Sequence, residues 1–232
     1  MPVELLPPVL YKYYPPERID IFDNWTVRFT NPANFNDAFD TNWAVRGKEQ
    51  IRERQKFRSH LGIFSLSREG DSHLMWVHYA DQHRGFVIGF KTNAAFLHEG
   101  DSELRNVKYG EHPPQIMPVS NDWCWYKDSD WEYEHEWRCV RKIELGKPRD
   151  IAFSLEDIGE IIIGAQMTDT NINSILNFVE AMNTVDTDIA ADDKARLSLR
   201  RAKPDISSRT IQIDACGLSL CSRCSGHGHV NE

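Results

Sequence analysis

The sequence predicts an α+β protein with a mixed, mostly antiparallel central sheet, flanking helices and a helical carboxy-terminal extension. Short apolar segments with β-branched and aromatic residues predominate early in the chain, and helix-patterned segments predominate late. The chain carries no internal repeat and no coiled-coil heptad. Its 232 residues, 41% of them hydrophobic, suit one large domain or a domain with a small appendage.

The strand predictions follow apolar runs that end at Gly, Pro, Asn or Asp. In chain order they cover residues 9–13, 25–29, 61–66, 86–90, 104–109, 131–145, 160–164 and 210–215.

The helix predictions rest on charge spacing, capping residues and apolar periodicity. In residues 48–60, Glu49 and Glu53 stand four apart and each is followed by basic residues. Asp71 or Ser72 can cap a helix at 73–81. Residues 93–99, 171–183 and 188–203 complete the set. We expect a core domain at 1–168 that carries the site, a helical extension at 169–218 packed on it, and a flexible tail at 219–232.

Composition indicates a cytoplasmic protein. The net charge of −8 does not favour nonspecific binding to nucleic acid. No apolar run approaches the roughly 18 to 20 residues that cross a bilayer, so no membrane partner is expected. The first ten residues do not resemble a signal peptide. Five unevenly spread cysteines fit a reducing compartment.

The most informative segment is the glutamate row at residues 131–138. As a strand, it would place Glu132, Glu134, Glu136 and Arg138 on one face and aromatic residues on the other. Neighbouring carboxylates raise one another's pKa unless cations or donors offset them. The row therefore predicts a site that holds a hydroxyl, a cation or a proton, or else a solvent-facing strand in which Arg138 supplies the counter-charge.

A second candidate segment combines hydroxyls with aromatic rings. Ser65 and Ser67 share a strand face, and the following helix presents Trp76 and Tyr79 three residues apart. Donors beside flat rings suit a small-ligand pocket, although Trp76 and Tyr79 could equally be core residues and Ser67 a turn residue. Lys127 could bind a phosphate or pair with a neighbouring aspartate.

A set of motifs occurs in a fixed order along the chain: Leu10-Tyr11-Lys12-Tyr13, Asn34-Phe35-Asn36-Asp37-Ala38-Phe39, Ser65-Leu66-Ser67, Met75-Trp76-Val77-His78-Tyr79-Ala80, Gly85-Phe86, Tyr133-Glu134-His135-Glu136-Trp137-Arg138 and Ile161-Ile162-Ile163-Gly164. Together they resemble the bacterial domain-of-unknown-function family 2971, over roughly residues 9–167. That resemblance implies a single bacterial cytosolic domain and no particular activity. At residue 40 this chain has Asp40 where the family more often has glutamate.

Three of these segments, Tyr11-Lys12-Tyr13, Ser65-Leu66-Ser67 and Glu134-His135-Glu136, follow one another in an order that is also similar to that in mono-ADP-ribosyltransferases. That similarity implies a transferase acting on NAD, with a protein or nucleic-acid acceptor, in a bacterial phage-defence or toxin-like role. Glu136 would bind the ribose 2′-hydroxyl and stabilise the oxocarbenium-like charge as nicotinamide leaves. Glu134 would orient or deprotonate the incoming nucleophile. The remaining residues would hold the nucleotide: Tyr11, Lys12 and Tyr13 on the first strand, Ser65 and Ser67, Trp76 and Tyr79, Lys127, and Arg138.

Two other functions stay open from the residues. One is a non-enzymatic domain that binds a small molecule or protein, its carboxylates neutralised by Arg138 and Lys127. The other is a metal-dependent hydrolase or nuclease, although no spacing matches a known metal signature and no metal is predicted. Its candidate ligands are His78, Asp81, His83, Glu132, Glu134 and Glu136, and the tail offers Cys221, Cys224, His227 and His229 as a zinc knuckle or as a mobile segment.

Overall fold

The computed structural model of the protein describes residues 5–42, 45, 47–110, 121–184 and 197–216. The chain divides into two compact units. Unit 1 comprises Met1–Leu10, Trp25–Glu69 and Lys91–Asp157, and unit 2 comprises Tyr11–Asn24, Gly70–Phe90 and Ile158–Glu232. The predicted division at residues 168 and 218 stays a prediction, and the tail at 219–232 lies outside the described residues.

The elements confirm the predicted α+β class, with mixed but mostly antiparallel strand pairing. The strands are β1 (Val9–Tyr14), β2 (Thr26–Arg28), β3 (Leu61–Ser67), β4 (Phe86–Lys91), β5 (Glu103–Asn106), β6 (Lys108–Tyr109), β7 (Tyr126–Lys127), β8 (Glu136–Lys142), β9 (Asp150–Ala152), β10 (Ile158–Ile163), β11 (Ser198–Asp205) and β12 (Thr210–Ala215). The α-helices are α1 (Ile21–Asn24), α2 (Lys48–Ser59), α3 (His73–Tyr79) and α4 (Asp169–Thr184). Short 3-10 helices cover Pro16–Asp20, Pro32–Asn34, Ala95–Leu97, Asn121–Trp125, Ser129–Glu134 and Leu155–Asp157.

In unit 1, β8 pairs antiparallel with both β3 and β5. Because side chains alternate along a strand, the two faces of these strands differ. One face carries a buried cluster that includes Leu61, Ile63 and Val140, with Trp125 packed against them. On β3 the opposite face carries Phe64, which stacks on Phe29 at 5.5 Å between ring centroids.

In unit 2, β10 pairs antiparallel with β4 and parallel with β11, and β11 pairs antiparallel with β12. Helix α4 buries Ile172, Ile175 and Val179, whose spacing of three and four residues gives it one apolar face. Phe22 packs against Phe178 at 4.6 Å between ring centroids. This apolar packing, more than helix propensity, holds α4 in place.

The helix predicted at residues 188–203 is wrong where the structure describes it, because residues 198–205 form β11. Its high charge density suggested an exposed helix, but pairing with β10 and β12 overrides that local preference. The charged side chains still find partners: Arg200 lies 3.2 Å from Glu160 and donates to the Ile213 carbonyl at 2.6 Å. The extension is therefore helical in α4 and stranded in β11 and β12.

Candidate functional site

The glutamate row begins as a turn and only its second half is a strand. Ser129–Glu134 is a 3-10 helix, His135 is left-handed with φ 43°, and β8 starts at Glu136. The predicted strand across residues 131–135 is thus wrong. The Asp128 side chain caps the turn by accepting from the Asp130 N–H, a local bond that alternation cannot reveal.

The prediction is correct for the part of the row that lies in β8. The register aligns Ser67 with Glu136 and Ser65 with Arg138, so these four side chains share one face. Glu132 is exposed and does not join them. Cross-strand pairing therefore brings the two serines next to Glu136 and Arg138.

Glu134 reaches the same place through the turn. The Ser67 hydroxyl donates to the Glu134 carbonyl at 2.7 Å, and the Arg68 N–H donates to the His135 carbonyl at 3.0 Å. These bonds fix the backbone at the end of the turn, so that Lys127 Nζ bonds to both Glu134, at 2.5 Å, and Glu136, at 3.2 Å. Ser67 is the turn residue that one of the two interpretations predicted.

Arg138 is the centre of the ion network, defined here as Asp40, Lys127, Glu134, Glu136 and Arg138. The side chain of Arg138 is 0% exposed, and those of the three carboxylates are 4% exposed. Its guanidinium binds Glu136 at 2.7 and 2.9 Å and Asp40 at 2.9 and 2.5 Å. A further bond reaches the Cys124 carbonyl at 2.8 Å. All five N–H groups of the guanidinium are thereby used.

Glu136 is saturated in turn. Both its oxygens accept from Arg138, and Oε2 also accepts from Lys127. The Ser65 hydroxyl adds a fourth donor. Burial alone raises the pKa of Glu136, but Arg138 and Lys127 outweigh it and hold this pKa well below its ordinary value. The carboxylate is therefore ionised, and its acceptor sites are already occupied.

The pKa of Lys127 shifts in the direction that keeps its ammonium charged. Burial alone lowers the pKa of Lys127, yet Glu136 and Glu134 raise it above its ordinary value. Its ammonium also lies 4.8 Å from the ring centroid of Trp131. Lys127 is thus a buried, paired cation inside unit 1, and it is not exposed to bind a phosphate from solvent.

The sequence missed Asp40 and Tyr109 as parts of the site. Asp40 lies 98 positions before Arg138 and outside every predicted strand and helix. The Tyr109 hydroxyl accepts from the Glu136 N–H at 2.8 Å, just before β8 begins to pair. No local pattern could find these residues; the departure at residue 40 from the family's usual glutamate was the one available signal.

The other predicted nucleotide-binding residues lie in unit 2. Trp76 is 0% exposed, donates to the Gly70 carbonyl at 3.0 Å and contacts Tyr13 edge-on at 5.4 Å. Tyr11 donates to Glu160 at 2.8 Å. Lys12 and Tyr79 are half-buried. The surroundings of Trp76 match the core interpretation of that residue.

A cleft of about 270 Å³ lies on unit 1, next to the ion network along the chain. We call it the Trp125 cleft. Arg105 stacks over the Trp125 ring at 4.4 Å, and Lys108 Nζ lies 5.7 Å from the centroid of Tyr126. Its walls come from β5, β6 and the segment Asn121–Lys127, and they consist of Arg105, Asn106, Lys108, Asp122, Trp123, Trp125 and Tyr126.

Metal ligation finds no support in the described ranges, which contain no group of three or more His, Cys, Asp or Glu side chains placed to hold an ion. Cys221, Cys224, His227 and His229 fall outside those ranges. Within them, too, no helix has the length and apolar character needed to cross a membrane.

Fold and site together define an α+β protein with a buried ion network and an aromatic cleft in unit 1. Residues 75–139 match the family model described as Protein of unknown function (DUF2971). The resemblance predicted from the motifs is therefore confirmed over the stretch that includes most of α3 and the glutamate row. No curated protein and no solved structure is significantly similar to the chain.

Proposed function

We propose that this chain is a small-molecule-binding domain in which the buried carboxylates hold a recognition segment in place and perform no chemistry. The observation that carries the proposal is the closure of the ion network around Glu136, which accepts four hydrogen bonds from side chains of unit 1. A catalytic carboxylate must have an acceptor site for the substrate hydroxyl. In Glu136 these sites already accept hydrogen bonds from Arg138, Lys127 and Ser65.

The network instead supports the segment Asn121–Lys127. Arg138 holds the Cys124 carbonyl, and Lys127 ends the segment with its ammonium among three carboxylates. Between these two attachment points lie Trp125 and Tyr126, which line the cleft. Fixing both ends of a short segment lowers the ordering cost when a ligand binds.

The competing proposal is a transferase acting on NAD. The bond from Ser65 to Glu136 and the shared face with Ser67 favour it, because such donors could orient a ribose. It requires Arg138 or Lys127 to release Glu136 when substrate arrives, which leaves a buried charge unpaired at a cost of several kcal/mol. A protein or nucleic-acid acceptor, a cytoplasmic location and a role in phage defence or as a toxin depend on this transferase proposal or on the family resemblance.

The first experiment separates support from catalysis. Lys127→Met should free the segment and expose Cys124, whose thiol pKa burial raises to about 12 and which is therefore slow to react. We expect alkylation of Cys124 to accelerate by about tenfold or more, a change of roughly 1.4 kcal/mol in local opening. Cys139, buried on the other face of β8, is the internal reference, and Lys147→Met, at an exposed turn, is the matched control.

Two further readouts complete the test. Incubation with NAD should release no nicotinamide from the wild type, whereas release that Glu136→Gln abolishes would establish the transferase instead. A thermal-shift screen of nucleotides, sugar phosphates and amino acids should find at least one class that raises Tm. If no class does, or if Lys127→Met leaves Cys124 protected, the binding proposal is wrong.

A further inference from the structure

The Trp125 cleft combines two cations with one carboxylate in a chain whose net charge is −8. The carboxylate, Asp122, lies 3.8 Å from Arg105, which leaves Lys108 as the second cation of the lining. Arg105 also pairs with Glu103. Lys108, by contrast, pairs with no carboxylate among the described residues, so on an acidic protein it favours an anionic ligand at this place over the rest of the surface.

One residue of the lining also carries a buried donor. Trp125 is 3% exposed, and its indole N–H meets no hydrogen-bond acceptor anywhere in the described part of the chain. Burying a donor without an acceptor costs free energy, so a ligand oxygen that accepts a hydrogen bond from this N–H would bind more favourably. An anionic oxygen satisfies the donor and the nearby cations together.

Flat groups form the rest of the lining. The planar guanidinium of Arg105 covers the Trp125 ring, and Tyr126 is half-buried beside Lys108. Guanidinium and phenol faces are the surfaces on which nucleobases stack. The volume of about 270 Å³ lies just under the roughly 300–1,000 Å³ typical of small-molecule pockets, which suits one nucleotide better than an enclosed dinucleotide.

We propose that the Trp125 cleft binds a nucleoside monophosphate, with the phosphate at Arg105, Lys108 and the Trp125 N–H and the base stacked on the Arg105 or Tyr126 face. This inference rests on the proposed binding function and names its ligand class. It uses no residue of the predicted NAD site.

The test is isothermal titration calorimetry of the full chain with AMP, adenosine and inorganic phosphate. AMP should bind about tenfold or more tightly than either fragment, because only AMP offers both a charge and a ring. Equal affinity for inorganic phosphate would overturn the assignment of a nucleotide, and equal affinity for adenosine would overturn the phosphate subsite.

Two variants test the residues. Lys108→Glu should weaken AMP binding by about tenfold or more, whereas Lys147→Glu, the same charge change at an exposed turn, should leave it unchanged. Trp125→Phe keeps a ring but removes the donor, so AMP affinity should fall about tenfold. The Tm of the ligand-free protein should also fall, because the smaller ring leaves space beside Leu61, Ile63 and Val140. A lower Tm with unaltered AMP affinity would assign Trp125 a structural role only and contradict the proposal.

The outcomes separate this inference from the proposed function. If AMP fails to bind while another ligand class raises Tm and Lys127→Met still exposes Cys124, the ligand assignment alone is wrong. If no small molecule binds at all, both proposals fail together.

Discussion

The two units bury polar groups in opposite ways. In unit 1 the five charged side chains of the ion network are all paired, with Arg138 using every donor that it has. In unit 2 one buried polar side chain is that of His83, which stacks on Trp76 at 5.8 Å and on His73 at 5.4 Å between ring centroids. Its Nδ1 has no hydrogen-bond partner among the residues that the structure describes.

The difference shows what burial requires of each kind of group. Charged groups can be buried only when donors and acceptors replace water almost completely, whereas a neutral imidazole with one unpaired nitrogen costs much less free energy to bury. Burial and the neighbouring His73 lower the pKa of His83, which keeps the ring neutral. Three consecutive left-handed residues hold His83 there: Asp81, Gln82 and His83, with φ of 45°, 55° and 68°.

Breaking the ion network should have the largest effect. Arg138→Met leaves Asp40 and Glu136 buried beside Lys127 alone, and we expect a loss of about 3–5 kcal/mol in the free energy of unfolding, measured in urea. Arg28→Met is the control, because Arg28 pairs with Asp150 at the surface and should cost at most about 1 kcal/mol. Equal losses in the two variants would show that the network contributes nothing beyond an exposed pair.

His83 in unit 2 and Glu136 in unit 1 should each lower the free energy of unfolding in a different acidic pH range. The folded pKa values of both His83 and Glu136 lie below their ordinary values, so the unfolded chain binds more protons and stability falls as the pH falls. The loss from His83 should begin below about pH 6.5 and the loss from Glu136 below about pH 4.3, the ordinary values of these groups.

Each window can be removed by one substitution. In urea unfolding at a series of pH values, His83→Asn should flatten the dependence between about pH 4.5 and 6.5, and Glu136→Gln should flatten it only below that range. Asparagine tolerates the left-handed backbone of His83, so the folded turn is kept. An unchanged slope in either variant would show that the group titrates alike in the folded and unfolded chain.

Relaxing the left-handed turn should have the smallest effect. Gln82 is exposed, and glycine adopts its backbone conformation without the penalty of a Cβ, so Gln82→Gly should raise the free energy of unfolding by up to about 1 kcal/mol. Glu180→Gly, in the interior of α4, should lower it by about 1 kcal/mol. A loss at Gln82 as well would mean that its side chain, and not the strained backbone, matters.

Local patterns predicted much of the fold. Strands at residues 9–13, 61–66, 86–90 and 210–215 are confirmed to within one residue, because β-branched and aromatic runs that end at turn residues suit a sheet and little else. The helix at 171–183 is confirmed within α4, and its apolar spacing predicted the buried face. Residues 198–203 were mistaken for helix since charge patterning carries no information about a distant strand partner.

By itself, then, the sequence determined most of the strands, and it indicated Glu134, Glu136, Ser65 and Ser67 as candidate site residues with cations nearby. Only the tertiary structure decided that those cations pair with the carboxylates and occupy their acceptor sites. That decision depends on Asp40 and the Cys124 carbonyl, which lie far from Arg138 in sequence and reach it only after folding. Whether a charge is available or already paired depends on distances of a few ångströms across the fold, and the order of residues along a chain does not encode those distances locally.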